Sequence, residues 1–255
     1  MESINIRNHE VHLWTLNPQH ILDSTHLWSL LSPDERKKVN RYRLPQAQNI
    51  ALLTRAFIRL ILSQYETQSA SQWVFSISPL GKPEVTNTKH PLRFNLSHNN
   101  NLIICAITLI NDIGCDIENL ERKINAKSIT QRYFSTYEQQ QLNTLPQNQQ
   151  NAFFFKLWTL KEAFVKATGQ GLAQGLNTFS FDLSSYTEQE KHISLSFHAQ
   201  CTEKKPLQWQ SHLFYPDDQH CIALCVKSTH SLNIKHFNPV QSAALFKSTS
   251  ADMFV

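Results

Sequence analysis

The sequence predicts an α+β protein built as two similar halves, and three observations support that prediction. Two long segments are apolar at helical spacing, "PQAQNIALLTRAFIRLILSQY" (45–65) and "FFFKLWTLKEAFVKATGQGL" (153–172). Each lies among short strand-like runs, and the order of elements in the first half returns in the second. Two local echoes reinforce the repeat, "RAFIR" (55–59) against "EAFVK" (162–166) and "LIICAI" against "CIALCV". The expected division is an N-terminal half over 1–111, a C-terminal half over 112–228 and a tail over 229–255. A cleft between such halves is the expected place for a ligand.

Taken in order, "EVHLWTL" (10–16) alternates well enough for a first strand. "LSPDERKKVNRYR" begins a helix, with Ser32 as N-cap, Pro33 in the first position and Glu35 completing a capping box. The helix over 45–65 carries Leu52, Leu53, Phe57, Leu60 and Ile61 on its apolar side. "SPLGKP" (78–83) is turn chemistry, and "RFNLSH" leads into the apolar run "LIICAITLI" (102–110), which fits a buried strand and is too short to span a bilayer. A strand with Asp116 and Glu118 follows, then helical stretches near 125–144 and 148–168. Strands are expected at 193–199, 207–215 and 220–228. Residues 230–255 carry little pattern.

Composition bounds the class. Of 255 residues, 41% are hydrophobic and 17% charged, which is a globular balance able to bury a substantial core. A net charge of +4 permits an anionic ligand but is too small to argue for nucleic acid. The five cysteines at 105, 115, 201, 221 and 225 form no CxxC pair, so they read as buried thiols of a reducing compartment. The start "MESINIRNHE" lacks the apolar stretch of a signal peptide. The expectation is a soluble cytoplasmic monomer with neither membrane nor nucleic acid as partner.

The chemistry begins at "IGCDIENL" (113–120). Asp116 and Glu118 are two apart on a strand and share a face. Neighbouring carboxylates repel unless one is protonated or a cation neutralises them. Cys115, between Gly114 and Asp116, points to the opposite face, toward the core. On the helix over 153–168, Trp158, Glu162 and Lys166 form one stripe, while Phe155, Ala163 and Phe164 lie nearer the core side. On an arbitrary helix Glu162 and Lys166 would be a routine surface pair. Here Gly169, Gly171 and Gly175, three of only five glycines, follow at once, which marks a tight turn or a close approach. Lys82 in "GKP" and Ser97–His98 in "FNLSH", read as a turn, add donors. Together Lys82, His98 and Lys166 suit phosphate, and Asp116, Glu118 and Glu162 suit Mg²⁺. This is the kit of phosphoryl chemistry.

In order and spacing, "GKP", "FNLSH", "IGCDIE" and "LWTLKEAFVKATGQGL" resemble the 4′-phosphopantetheinyl transferases of the larger, surfactin-synthetase-activating type, over about 32–181. The resemblance implies two α+β halves related by a pseudo-twofold axis. It also implies transfer of phosphopantetheine from coenzyme A to a serine of an apo acyl or peptidyl carrier protein, releasing adenosine 3′,5′-bisphosphate. It makes Asp116, Glu118 and Glu162 ligands of Mg²⁺ (or Mn²⁺) at the diphosphate. Glu162 becomes general base for the carrier serine, directly or through water, and Lys166 stabilises the transition state. Ser97 and His98 fall at the coenzyme A site, His98 on a phosphate, and Lys82 and Pro83 lie along the adenine nucleotide. Glu35 and Lys38 fall where the family often has basic residues for the 3′-phosphate, so only Lys38 keeps the charge. Gln48, Asn49 and Ile50 occupy the region of the family's helix arginine, a departure at the 3′-phosphate.

Two rival functions compete. Metal-dependent nucleases pair an Asp and a Glu with a Lys two residues further on the same strand, where this chain has Leu120. A non-catalytic module that only binds carrier proteins predicts a broken acidic triad, and all three acids are present.

Overall fold

In a computed structural model, which describes residues 3–187 and 192–251, helices and sheets are mixed as an α+β protein. The first elements are β1 (Glu10–Leu16), α1 (Pro33–Asn40), α2 (Pro45–Leu62), β2 (Phe75–Ile77), β3 (Pro83–Val85), β4 (Leu92–His98) and β5 (Ile103–Leu109). Then come β6 (Ile113–Asn119), α3 (Ala126–Tyr133), α4 (Thr136–Thr144), α5 (Gln147–Thr168), β7 (Phe179–Asp182) and β8 (Ser194–Phe197). The chain continues through β9 (Trp209–Asp217), β10 (His220–Lys227), β11 (Asn233–Phe237) and α6 (Pro239–Ala251). "RAFIR" falls on α2 and "EAFVK" on α5, while "LIICAI" falls on β5 and "CIALCV" on β10. Among the described residues no helix is long and apolar enough to cross a membrane.

The chain divides into two compact units. The first holds the residues up to Ile77, Pro83–Ile110 and those from Leu232 onward. Its sheet has the order β11-β1-β5-β4, with β1 parallel to β11 and antiparallel to β5. Helix α2 lays Leu53, Phe57, Leu60 and Ile61 into a core with Trp14, Leu16, Ile103, Cys105 and Ile107. Ser32 and Glu35 close the expected capping box at α1. "FNLSH" is strand β4 rather than a turn, because Leu92, Phe94 and Leu96 pack against the core while the strand pairs with β5 from Leu92↔Leu109 to His98↔Ile103.

The patternless tail needs correction. Residues 233–237 add a parallel edge strand to β1, in register from Glu10↔Asn233 to Trp14↔Phe237, and 239–251 form α6. Phe237 stacks on Trp14 at 3.7 Å, and Phe246 reaches Phe57. An edge strand has one neighbour and one half-buried face, so its sequence shows little alternation; pairing with β1 supplies the order. Residues 252–255 lie outside the described residues.

The second unit holds Ser78–Lys82 and Asn111–Ser231. Its main sheet has the order β6-β10-β9, all antiparallel, and β7 pairs with β8. Helix α5 lies on the β6–β10 face and buries Phe155, Leu160, Ala163 and Phe164 with Cys221, Ala223 and Cys225. The helical stretch expected over 125–144 is broken at Phe134–Ser135. There Ser135 and Glu138 form a second capping box, which starts α4. Helix α5 ends at Gly169, whose φ of 69° is left-handed; Gly171 and Gly175 also have positive φ, as their clustering foretold.

Candidate functional site

The site in the second unit starts from a glycine. On β6, Gly114, Asp116 and Glu118 share the face that meets α5, opposite Cys225, Ala223 and Cys221 of β10. A Cβ on Gly114 would stand 2.0 Å from the Ala163 carbonyl oxygen and 2.4 Å from the Ala167 nitrogen. Strand and helix are therefore in backbone contact, which only glycine permits. Two residues along the strand, that contact brings Asp116 to Lys166, whose Nζ donates to Asp116 Oδ1 at 2.7 Å. Asp116 is 6% exposed, and Glu118 and Glu162 are half-buried.

Electrostatics bind these groups together. Burial and the neighbouring Asp116 and Glu162 push the Glu118 carboxyl up to about 7, against the pull of Arg122 and Lys166. Burial and Asp116 also raise Glu162, with Lys166 opposing. Burial works to lower Lys166, but Asp116 and Glu162 outweigh it and hold its ammonium above the usual lysine value. Three carboxylates thus share a half-dry site with one inner ammonium, an arrangement that a further cation would relieve. Hard carboxylate oxygens are the donors Mg²⁺ takes, so the residue types fit. Among the described residues, no three His, Cys, Asp or Glu side chains are already gathered into a set that could hold a metal ion.

A pH dependence follows. An acid whose folded value exceeds its unfolded value binds its proton more tightly when folded. Glu118 should therefore withdraw stability as pH rises from about 4.5 through about 7, on the order of 2 kcal/mol after solvent screening. His12, held down to about 4 chiefly by burial, works the other way below its ordinary value. The difference between wild type and Glu118→Gln cancels that contribution. In metal-free urea melts from pH 5 to 8, wild type should lose stability relative to the variant; parallel curves would contradict the assignment.

Other candidates stand as follows. Lys82 Nζ donates to the carbonyl oxygens of Ala167, at 2.7 Å, and Ile113, at 3.3 Å. Lys38 on α1 and His98 at the end of β4 are exposed, Ser97 is buried and Pro83 half-buried; all four belong to the first unit. The Glu35 carboxylate closes the capping box and takes Arg59 at 2.6 Å. All five cysteines are buried free thiols, Cys115 among them.

Two features escaped the sequence reading. Arg122, just past β6, pairs with Glu118 at 3.0 Å. Lys161, beside Glu162, is wholly buried, with its Nζ 2.7 Å from Glu138 Oε2, 2.7 Å from the Leu176 carbonyl and 2.9 Å from that of Phe179. A lysine next to a glutamate on a helix reads as surface. The available signal was Ser135–Glu138, a capping box identical in form to Ser32–Glu35.

Comparison with known proteins gives the family. Residues 112–225 match the 4′-phosphopantetheinyl transferase superfamily, and residues 14–109 match the N-terminal region of 4′-phosphopantetheinyl transferases. The chain is 34% identical to 4′-phosphopantetheinyl transferase HetI of Nostoc sp. over 68% of its own length and 74% of the relative's. It is 31% identical to 4′-phosphopantetheinyl transferase Sfp of Bacillus subtilis, over 68% of this chain and 75% of the relative. To psf-1 of Bacillus pumilus it is 35% identical, over 60% and 64%.

Proposed function

Because this chain belongs to the 4′-phosphopantetheinyl transferases of the Sfp type, we propose that it moves the 4′-phosphopantetheine of coenzyme A onto a serine of an apo acyl or peptidyl carrier protein. The observation that best supports this reading is the meeting of Asp116 and Glu118 on β6 with Glu162 and Lys166 on α5, across the backbone contact at Gly114. A divalent cation, Mg²⁺ or Mn²⁺, held by Asp116, Glu118 and Glu162 would neutralise charge on the coenzyme A diphosphate.

The chain's own residues do the rest. Glu162, whose raised value brings it nearer neutrality, takes the proton from the carrier serine hydroxyl, directly or through water. The serine oxygen forms a bond to the phosphorus bearing the pantetheine arm. The bond from that phosphorus to the other phosphate breaks, and adenosine 3′,5′-bisphosphate leaves. Lys166 donates to the charge that gathers on the leaving side. Ser97, His98, Lys38 and Pro83 bind coenzyme A in this scheme. A cytoplasmic monomer belongs to the same proposal, and five free buried thiols suit a reducing compartment.

The test is incubation with coenzyme A, Mg²⁺ and a panel of apo-carriers from fatty-acid, polyketide and nonribosomal-peptide assembly, read by intact mass. At least one carrier should gain a single phosphopantetheine arm, and chelator should stop the gain reversibly. No gain on any carrier would overturn the proposal; a gain undiminished in excess chelator would remove the metal from it.

A further inference from the structure

We infer that Lys82 is a positioning residue of the transfer reaction: its ammonium clips the strand of Asp116 and Glu118 to the end of the helix of Glu162 and Lys166, and does not grip a coenzyme A phosphate. The inference rests on the transferase reading above. Ala167, whose carbonyl oxygen takes Lys82 Nζ at 2.7 Å, directly follows Lys166. Ile113, whose carbonyl takes it at 3.3 Å, lies three residues before Asp116. One ammonium therefore joins β6 and α5 beside Gly114, where the two backbones touch and where nothing larger than hydrogen fits between them.

The chemistry of a helix end explains why a lysine serves. Carbonyls of the last turn have no intrahelical donor, and Ala167 is the next-to-last residue of α5. A cation there also meets the negative end of the helix dipole. The lysine stem runs across the helix cap: a Cβ on Gly169 would come within 3.2 Å of Lys82 Cδ. Gly169 thus supplies both the left-handed turn and the room for the stem. The turn that presents Lys82 is itself braced, with Ser78 N donating to the Lys82 carbonyl and the Lys82 amide donating to Ser78 Oγ. Two ammonium donors directed at main-chain carbonyls hold geometry, and small errors in the placement of reacting groups cost rate more than affinity.

Lys82→Met keeps the stem and removes the charge. It should lower kcat about tenfold or more, by loss of alignment, with the Kd for coenzyme A, read by calorimetry, changed less than about threefold. Lys82→Arg, which still offers donors to both carbonyls, should recover much of the lost kcat. A Kd for coenzyme A weakened about tenfold at unchanged kcat would make Lys82 a phosphate ligand and overturn the inference. A lower melting temperature with unchanged kcat would reduce it to a structural residue and also overturn it. If Lys82→Met does not fold, Gly169→Asn sets a side chain against the Lys82 stem while tolerating the left-handed turn. Lost kcat with intact coenzyme A binding supports the clip; unchanged kcat overturns it. A wild type inactive on every carrier would sink the transferase reading itself, whereas either contrary pattern in an active enzyme sinks only the clip.

Discussion

Asp116→Ala should cut transfer by about 10²–10³-fold, the scale on which removal of one preorganised electrostatic group is felt. Asp116 is the centre of the site's charge: it holds Lys166 at 2.7 Å, and its carboxylate helps raise both Glu118 and Glu162. Without it, Lys166 loses its anchor and the acid cluster loses its most buried member. Glu162→Gln should fall as far for a different reason, since an amide cannot take the serine proton and is a poor ligand for a hard cation. Both variants should keep wild-type circular dichroism, because each relieves repulsion as well as removing a contact. Steady-state transfer to a carrier checks the pair. Residual activity above about a tenth of wild type in Asp116→Ala would deny it the central role.

The second large effect falls on stability. Lys161→Met should destabilise the protein by about 3–5 kcal/mol, because it leaves Glu138 charged in a dry interior. Lys161 is 0% exposed, its value is pulled down by burial against the support of Glu138, and its ammonium lies 4.3 Å from the Phe179 ring centre. It ties α5 to the start of α4 and to the carbonyls of Leu176 and Phe179. Glu138 would keep its bonds from the Ser135 and Phe181 amides, so Lys161→Met with Glu138→Gln should recover part of the loss. Urea melts should show a lower midpoint at an unchanged slope. A loss below about 1 kcal/mol would mean the pair contributes no more than an exposed one.

How much of this was legible depended on whether the signal was local. Two acids at strand spacing and a Glu–Lys pair four apart on an apolar helix are local patterns, so Asp116, Glu118, Glu162 and Lys166 could be picked out directly, whereas the role of Gly114 appears only where β6 meets α5. Ser32–Glu35 was equally visible. Its counterpart Ser135–Glu138 lay inside a stretch polar enough to pass for one continuous helix, so the break before α4 went unread. Strands β2 and β3, three residues each, are too short to show alternation. Strand β11 takes its order from β1, more than two hundred residues away in sequence. The partners of Lys82 and Lys161 were hidden for a related reason: both ammoniums bind main-chain carbonyls, which no side-chain pattern announces.

The most direct measurement follows the small product rather than the large one. With coenzyme A, Mg²⁺ and an apo-carrier that has been seen to gain mass, adenosine 3′,5′-bisphosphate should appear in a one-to-one ratio with modified carrier. The same carrier with its serine changed to alanine should yield none. Release of adenosine 3′,5′-bisphosphate at the same rate from both carriers would mean that coenzyme A is being cleaved without a serine nucleophile. That result would contradict the assignment of Asp116, Glu118, Glu162 and Lys166 to phosphopantetheine transfer.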